Sequence, residues 1–269
     1  MFKFMYLIRM PFHLVELSPW PLMTSSSALM LTIGLTNWFH YKVNNYCMWL
    51  GLMLLPLAMY MWWRDTIRES TYQGNHTFMV TKGLQWGMML FITSEVCFFF
   101  GFFWAFFHSS LSPSPEVGCV WPPVGVLTLN AFGVPLLNTI ILLSSGVTVT
   151  WAHHSLKSGV SRKDFVYALS ITIMLGVYFT ALQVGEYFNS PFSIADSVYG
   201  SVFFVATGFH GIHVINWSIF LFISLFRSKL LHYSKVHHLG FESFSLMLTF
   251  LVDVVWICLY LCIYWWGSL

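Results

Sequence analysis

Charged side chains are what this sequence most lacks: only 8% of its 269 residues are Asp, Glu, Lys or Arg, while 57% are hydrophobic. A soluble chain averages roughly 25% charged. Twelve basic and ten acidic residues cannot clothe a water-soluble protein of this length, so the missing polar surface faces lipid. Net charge of one sign is lacking too. The formal charge is +2 and the basic residues are dispersed between apolar segments, which excludes a nucleic-acid-binding arm.

Cysteine patterning is equally thin. Cys47, Cys97, Cys119, Cys258 and Cys262 are odd in number, contain no CxxC and mostly fall inside apolar runs, so neither a disulfide framework nor a zinc site is indicated. They read as small buried hydrophobes. The stretch between Lys3 and Arg9 is too short, and Pro11 follows it too soon, for a cleavable signal, so insertion relies on internal helices. There is no internal repeat, and no biased tract beyond the Phe-rich 98–103. No ATP loop, nucleophile elbow, zincin helix or dinucleotide fingerprint occurs, which leaves no self-contained catalyst.

What is present is long apolar sequence. The pattern predicts an all-α polytopic membrane protein, one transmembrane domain over residues 1–269, with seven spans near Leu22–Phe39, Tyr46–Trp63, Val80–Phe107, Val126–His153, Phe165–Phe188, Val198–Phe226 and Phe244–Trp266. Several exceed the roughly 20 residues a bilayer needs and should tilt. The intervening stretches carry turn chemistry, including Arg64–Gly74, the Pro-rich Ser109–Pro123 and Arg227–Gly240. With seven spans, eleven of the twelve Lys and Arg fall on one side, with Lys42 alone opposite. That bias puts the N-terminus inside and the C-terminus outside. Trp62, Trp63, Trp121, Trp265 and Trp266 lie near span ends, where indole rings favour the interface.

Glu95, well inside the third span, is the most informative residue. A charged carboxylate there costs roughly 2.5–3.5 kcal/mol, so it must be protonated, paired or watered. It reads either as a neutral Glu sharing a hydrogen bond between helices or as a proton or lipid-cleft residue. Asp253 and Glu186 lie nearer the outer ends of their spans, where water reaches them, and read as structural. His210 and His213, three apart, share a helix face. Such a pair can contribute to a metal site only with ligands from elsewhere, and otherwise serves as interhelical hydrogen-bonding groups among Gly208 and Gly211. His153 and His154, like His237 and His238, are adjacent and point to different faces. Trp62, Trp63, Arg64, Arg68 and His76 would suit an anionic lipid head group, or would simply cap the membrane boundary. Arg227, Lys229 and His232 fit a similar contact or plain positive-inside signal.

Several strings taken together are more specific than any of these. Trp62-Trp-Arg-Asp65, Ile67-Arg-Glu-Ser-Thr71, Ser94-Glu-Val96, Gly101-Phe-Phe-Trp-Ala-Phe-Phe-His-Ser-Ser110, Trp121-Pro-Pro123, Val134-Pro-Leu-Leu-Asn-Thr139, Thr150-Trp-Ala-His-His-Ser155, Phe203-Phe-Val-Ala-Thr-Gly-Phe-His-Gly211 and Val252-Asp-Val-Val-Trp256 occur in series. In order and spacing they resemble the cytochrome c oxidase subunit III family, from Ser18-Pro-Trp-Pro21 to Tyr264-Trp-Trp-Gly267. The resemblance implies a cofactor-free subunit of the mitochondrial inner membrane, N-terminus in the matrix and C-terminus toward the intermembrane space. Haem and copper would lie in partner subunits, chiefly catalytic subunit I. It implies two bundles, helices 1–2 (residues 1–78) and helices 3–7 (residues 79–269), flanking a phospholipid-filled cleft. Matching positions assign Trp62, Trp63, Arg68, Glu69, His76 and Glu95 to that cleft, and Arg227 and His232 to a second anionic-lipid contact. The implied tasks are to stabilise the catalytic subunit, support proton uptake, with Glu95 involved, and guide dioxygen during its reduction to water. The chain departs from the family where the seventh helix opens, with Ser245-Leu-Met-Leu-Thr249 and about one extra residue before Asp253, and where Gly133 replaces a Glu. Two other classes compete: a proton-coupled transporter, which would usually show internal repeats, and a haem carrier using His210 and His213.

Overall fold

The computed structural model describes residues 11–41, 45–159, 161–234 and 238–268; Lys3, Arg9, Lys42, Lys235 and His237 lie outside them. Among the described residues there is helix and no strand. The helices are α1 (Trp20–Tyr41), α2 (Tyr46–Thr71), α3 (Phe78–Leu111), α4 (Val134–Ser158), α5 (Arg162–Asn189), α6 (Ser197–Lys229), α7 (Leu239–Met247) and α8 (Val254–Leu259). A π-helical turn, Leu248–Asp253, joins α7 to α8, and a second, Tyr260–Trp265, follows α8, so residues 239–268 form one helical run. The stretch expected to carry about one extra residue before Asp253 is π-helical, a wider turn that holds an additional residue within a helix.

Among the described residues six helical segments are long and apolar enough to cross a membrane, the last being Leu251–Ser268. The 22-residue α1 is long enough but is held below them in apolarity by its Thr24-Ser-Ser-Ser27 run, Thr32, Thr36 and Asn37. Two boundaries differ most from expectation. The second span was expected to give way to a loop at Arg64, yet α2 continues to Thr71, because Trp62–Thr71 holds no helix breaker and Asp65 pairs with Arg68 at i,i+3. Conversely α4 starts at Val134, eight residues after the expected Val126. Asn130 accepts a hydrogen bond from Phe132 N at 3.0 Å and turns the chain, and Pro135 sits in the first helical turn.

The chain divides into two compact units, Met1–Leu84 and Gln85–Leu269. The first is built on the α1–α2 hairpin. Asn45 caps α2, accepting from Cys47 N at 3.2 Å and donating back to the Gly34 carbonyl at 3.3 Å. Gly34 and Gly51 let the two backbones touch. In the second unit α4, α5, α6 and the final run enclose an aromatic core around Phe179, Phe203, Trp256 and Tyr264, with another cluster at Phe165, Trp217 and Phe241. The cysteines are not buried as expected: Cys47, Cys97 and Cys119 are exposed and Cys258 and Cys262 half-buried, all five free. Cys47 and Cys97 lie on the apolar helices α2 and α3, whose faces a bilayer can cover in place of protein, whereas Cys119 lies in the connection between α3 and α4.

Candidate functional site: a carboxylate–imidazole bridge and the end of α2

In the second unit Glu95 of α3 and His213 of α6 meet, Glu95 Oε2 lying 2.9 Å from His213 Nε2 with both side chains less than one-fifth exposed. His213 Nδ1 is 2.6 Å from the Phe209 carbonyl. A carbonyl only accepts, so Nδ1 carries the hydrogen that it donates. Nε2 is then an acceptor in neutral imidazole, and the 2.9 Å contact requires one further proton, on the carboxyl or on the ring. The pair therefore holds a single exchangeable proton, as carboxylic acid with imidazole or as carboxylate with imidazolium. Aromatic rings wall it in: Phe99 packs 5.4 Å from the His213 ring, and Phe98, Phe102 and Phe209 form a neighbouring cluster.

His210 takes no part. It is buried, with Nε2 3.0 Å from the Val252 carbonyl and its ring between Phe179 and Trp256. Three helical positions leave about 60° between two side chains, enough to send one into the core and the other across to α3. Among the described residues no group of three or more His, Cys, Asp or Glu is placed to hold a metal ion.

The residues expected to form one head-group site at the end of α2 divide into two clusters within the first unit. Asp65 accepts from Trp20 Nε1 at 2.7 Å and from Arg64 at 2.9 Å, and Arg68 lies 3.8 Å from it. Glu69, about 100° round the helix from Arg68, instead faces His13, whose Nε2 is 3.7 Å from Glu69 Oε2. The His13 ring lies edge-on to His76, 6.0 Å away. Trp62 and Trp63 are both exposed, with Trp62 on the Glu69 face one heptad away. At the end of α6 the Arg227 guanidinium stacks 4.8 Å over the Tyr233 ring. Burial, and then the Arg227 charge, hold the His232 imidazole below its ordinary value. At neutral pH the positive charge at that position is therefore carried by Arg227.

Two features escaped the sequence reading. Trp20 and Asp65 are bonded although 45 positions apart. A buried polar chain also crosses the second unit: Asn138 Nδ2 to Gln183 Oε1 at 3.3 Å, Gln183 Nε2 to Tyr264 Oη at 3.2 Å, and Tyr264 Oη to Glu186 Oε2 at 3.3 Å. The available signal was Gln183 and Glu186 at i,i+3 in an α5 that carries no other charged residue beyond its first turn. Glu186 and Asp253 are each only 7% exposed, so the expectation that water reaches them fails for the chain as folded. Asp253 lies against Gly146 of α4, where a Cβ would come 2.5 Å from its Oδ2. His153 is half-buried and finds His238 across the bundle, rings 6.0 Å apart, while its neighbour His154 is exposed; the expectation for His237 and His238 falls partly outside the described residues.

The family model for cytochrome c oxidase subunit III matches residues 10–268. This chain belongs to the cytochrome c oxidase subunit III family. It is 63% identical over 262 residues to cytochrome c oxidase subunit 3 of Lumbricus terrestris, covering 97% of this chain and all of that one. The corresponding proteins of Heterololigo bleekeri and Branchiostoma lanceolatum are 59% and 61% identical, over 97% and 96% of this chain and 100% and 97% of theirs. The motif strings that suggested the family thus sit in a likeness that runs the length of the chain. Within the family frame the Glu95–His213 bridge ties α3 to α6 inside one compact unit.

Proposed function

We propose that this chain is an accessory subunit of cytochrome c oxidase in the mitochondrial inner membrane, bound to the haem- and copper-bearing catalytic subunit I and to other oxidase subunits. It stabilises that core, and supports proton uptake and oxygen access while dioxygen is reduced to water, through phospholipids bound to its surface. The observation that carries the proton role is the Glu95–His213 pair, which holds one exchangeable proton in an apolar setting. The chain supplies no catalytic centre; the redox chemistry belongs to the partner subunits. Purification through a tag on this chain should bring down haem and copper in constant ratio. A stable, functional monomer in detergent, or a Soret band from this polypeptide alone, would overturn the assignment.

The chain spans the membrane seven times in this reading, α1 included. Twenty-two residues at 1.5 Å each reach about 33 Å. The hydroxyls of α1 are satisfied within it, Thr24 on the Trp20 carbonyl at 2.7 Å, Ser27 on Met23 at 2.6 Å and Thr36 on Ile33 at 2.9 Å, which lowers their cost in hydrocarbon. The N-terminus lies in the matrix and the C-terminus toward the intermembrane space.

Phospholipid is held at the matrix end of α2, with Arg68 and His76 on phosphate and Trp62 and Trp63 along the acyl chains, and again at Arg227 and His232. Charge-assisted hydrogen bonds fix the head group, and buried methylenes add about 0.8 kcal/mol each. Arg68→Ala should loosen the head group without expelling the tails, whereas adding replacement of both Trp62 and Trp63 should lower occupancy further. Native mass spectrometry after delipidation counts the retained lipids. Unchanged retention in the triple variant would leave these residues as boundary markers only.

A further inference from the structure

The segment leading into α1 is fastened to the far end of α2 and to the α2–α3 connection at three points. Thr77 Oγ1 donates to the Pro11 carbonyl, Trp20 Nε1 donates to Asp65, and His13 lies between Glu69 and His76. The first two are neutral donors with fixed partners. The third depends on protonation, because His13 Nε2 at 3.7 Å from Glu69 Oε2 is an ion pair only when the imidazole is charged. Both side chains are less than one-fifth exposed, so the contact is screened less than a surface pair.

Taking the head-group site as proposed above, we propose that His13 and Glu69 form a proton-operated gate on it, so that a phosphodiester anion is held more tightly when His13 is protonated. Of the two carboxylates assigned to the cleft, Glu95 pairs with His213 of α6, and Glu69 lies next in sequence to Arg68, on the face that carries Trp62. With His13 neutral, the Glu69 charge opposes an incoming phosphate. With His13 protonated, that charge is compensated by the imidazolium, which lies beside His76. Among the described residues, the other ionisable neighbours leave this sign unchanged. Arg64 and Arg68 share Asp65, and the Lys82 ammonium sits 4.6 Å over the Phe78 ring of α3, so none of them pairs with Glu69. Glu16, on the segment itself, is exposed to solvent.

The test uses the intact purified oxidase, exchanged into micelles carrying phosphatidylglycerol, whose single charge does not titrate between pH 6 and 8. Diacylglycerol with the same acyl chains is the matched probe without phosphate, and inorganic phosphate alone tests for a free-anion site. Lipids retained per complex are counted by native mass spectrometry. Phosphatidylglycerol retention relative to diacylglycerol should fall about threefold from pH 6 to pH 8, the size expected of one partly screened pair. Glu69→Gln should raise retention at pH 8 to about the wild-type value at pH 6, and His13→Asn should hold the low value at both pH values. Wild-type retention that is flat with pH, or pH dependence that survives in full in His13→Asn, overturns the gate while leaving the head-group site standing. Equal retention of the two lipids at both pH values removes the site and the gate together. Competition by inorganic phosphate as strong as that by phosphatidylglycerol would make the ligand a free anion and overturn the lipid assignment.

Discussion

Gly34→Leu or Gly51→Leu is expected to prevent the α1–α2 hairpin from closing, and with it accumulation of the intact complex. A Cβ on Gly34 would lie 2.5 Å from both the N and Cα of Met48 and 2.6 Å from its Cβ. On Gly51 it would lie 2.6 Å from Leu31 N and 2.9 Å from the Ser27 carbonyl. These obstacles are backbone atoms or lie next to backbone, so no rotamer change relieves them and the helices must separate. In lipid that separation forfeits packing that no hydrophobic effect replaces, because acyl chains are as apolar as the helix surface. Overpacking of this kind costs about 1–3 kcal/mol for a few methylenes and more when backbone must move. Gly83→Ala and Gly87→Ala are the controls, since nothing lies within 4 Å of a Cβ at either position. They should be tolerated, or slightly stabilising through helix propensity. The yield of complex in mild detergent, with retention of this chain on size exclusion, reports the outcome. A normal yield from Gly34→Leu would mean that the close approach of α1 and α2 does not support assembly.

Much of this architecture was legible because a bilayer imposes a length and an apolarity on every span, and both can be counted. The errors fall where the membrane stops dictating. Sequence reading ended α2 at the first charge, Arg64, but a helix is limited by its backbone hydrogen bonds rather than by the hydrocarbon boundary, and α2 runs two further turns to Thr71. The expected fourth span began near Val126, although Asn130, Gly133 and Pro135 carry the turn chemistry that delays the helix. At the candidate site, Glu95, His210 and His213 were each singled out by the cost of a polar group in an apolar run. Their partners were not, since the Glu95–His213 bond spans 118 positions and helix spacing constrains only neighbours within a few turns. His210 and His213 looked like a pair for that reason, and the 60° between them was enough to part them. The same limit hid Trp20 beside Asp65 and divided Arg68 from Glu69. Family likeness supplied a set of residues, and only the folded chain showed that they belong to two clusters.

Because the Glu95–His213 bridge shares one proton between two groups, its two halves should respond unequally to substitution. Glu95→Gln keeps a donor for His213 Nε2 and adds no charge, so the interhelical bond survives in neutral form and the expected loss is below about 1 kcal/mol. His213→Leu removes the acceptor and leaves the carboxyl facing apolar rings. An unsatisfied buried group costs about 1–3 kcal/mol, and an ionised carboxylate at mid-membrane about 2.5–3.5 kcal/mol. The leucine variant should therefore lower the thermal midpoint of the purified complex well below that of Glu95→Gln. The double variant Glu95→Leu, His213→Leu should recover much of the loss, because replacing both partners with apolar groups leaves nothing unpaired. A double-mutant cycle built from Glu95→Leu and His213→Leu should give a coupling well above the 0.3–0.5 kcal/mol scatter of independent sites. In every variant the haem spectra should be unchanged, since the bridge lies in a chain assigned no cofactor. A coupling within that scatter, or Glu95→Gln as damaging as His213→Leu, would show that the two side chains do not share a proton; a shifted or bleached haem band would show that the bridge lies closer to the redox centres than an accessory subunit allows.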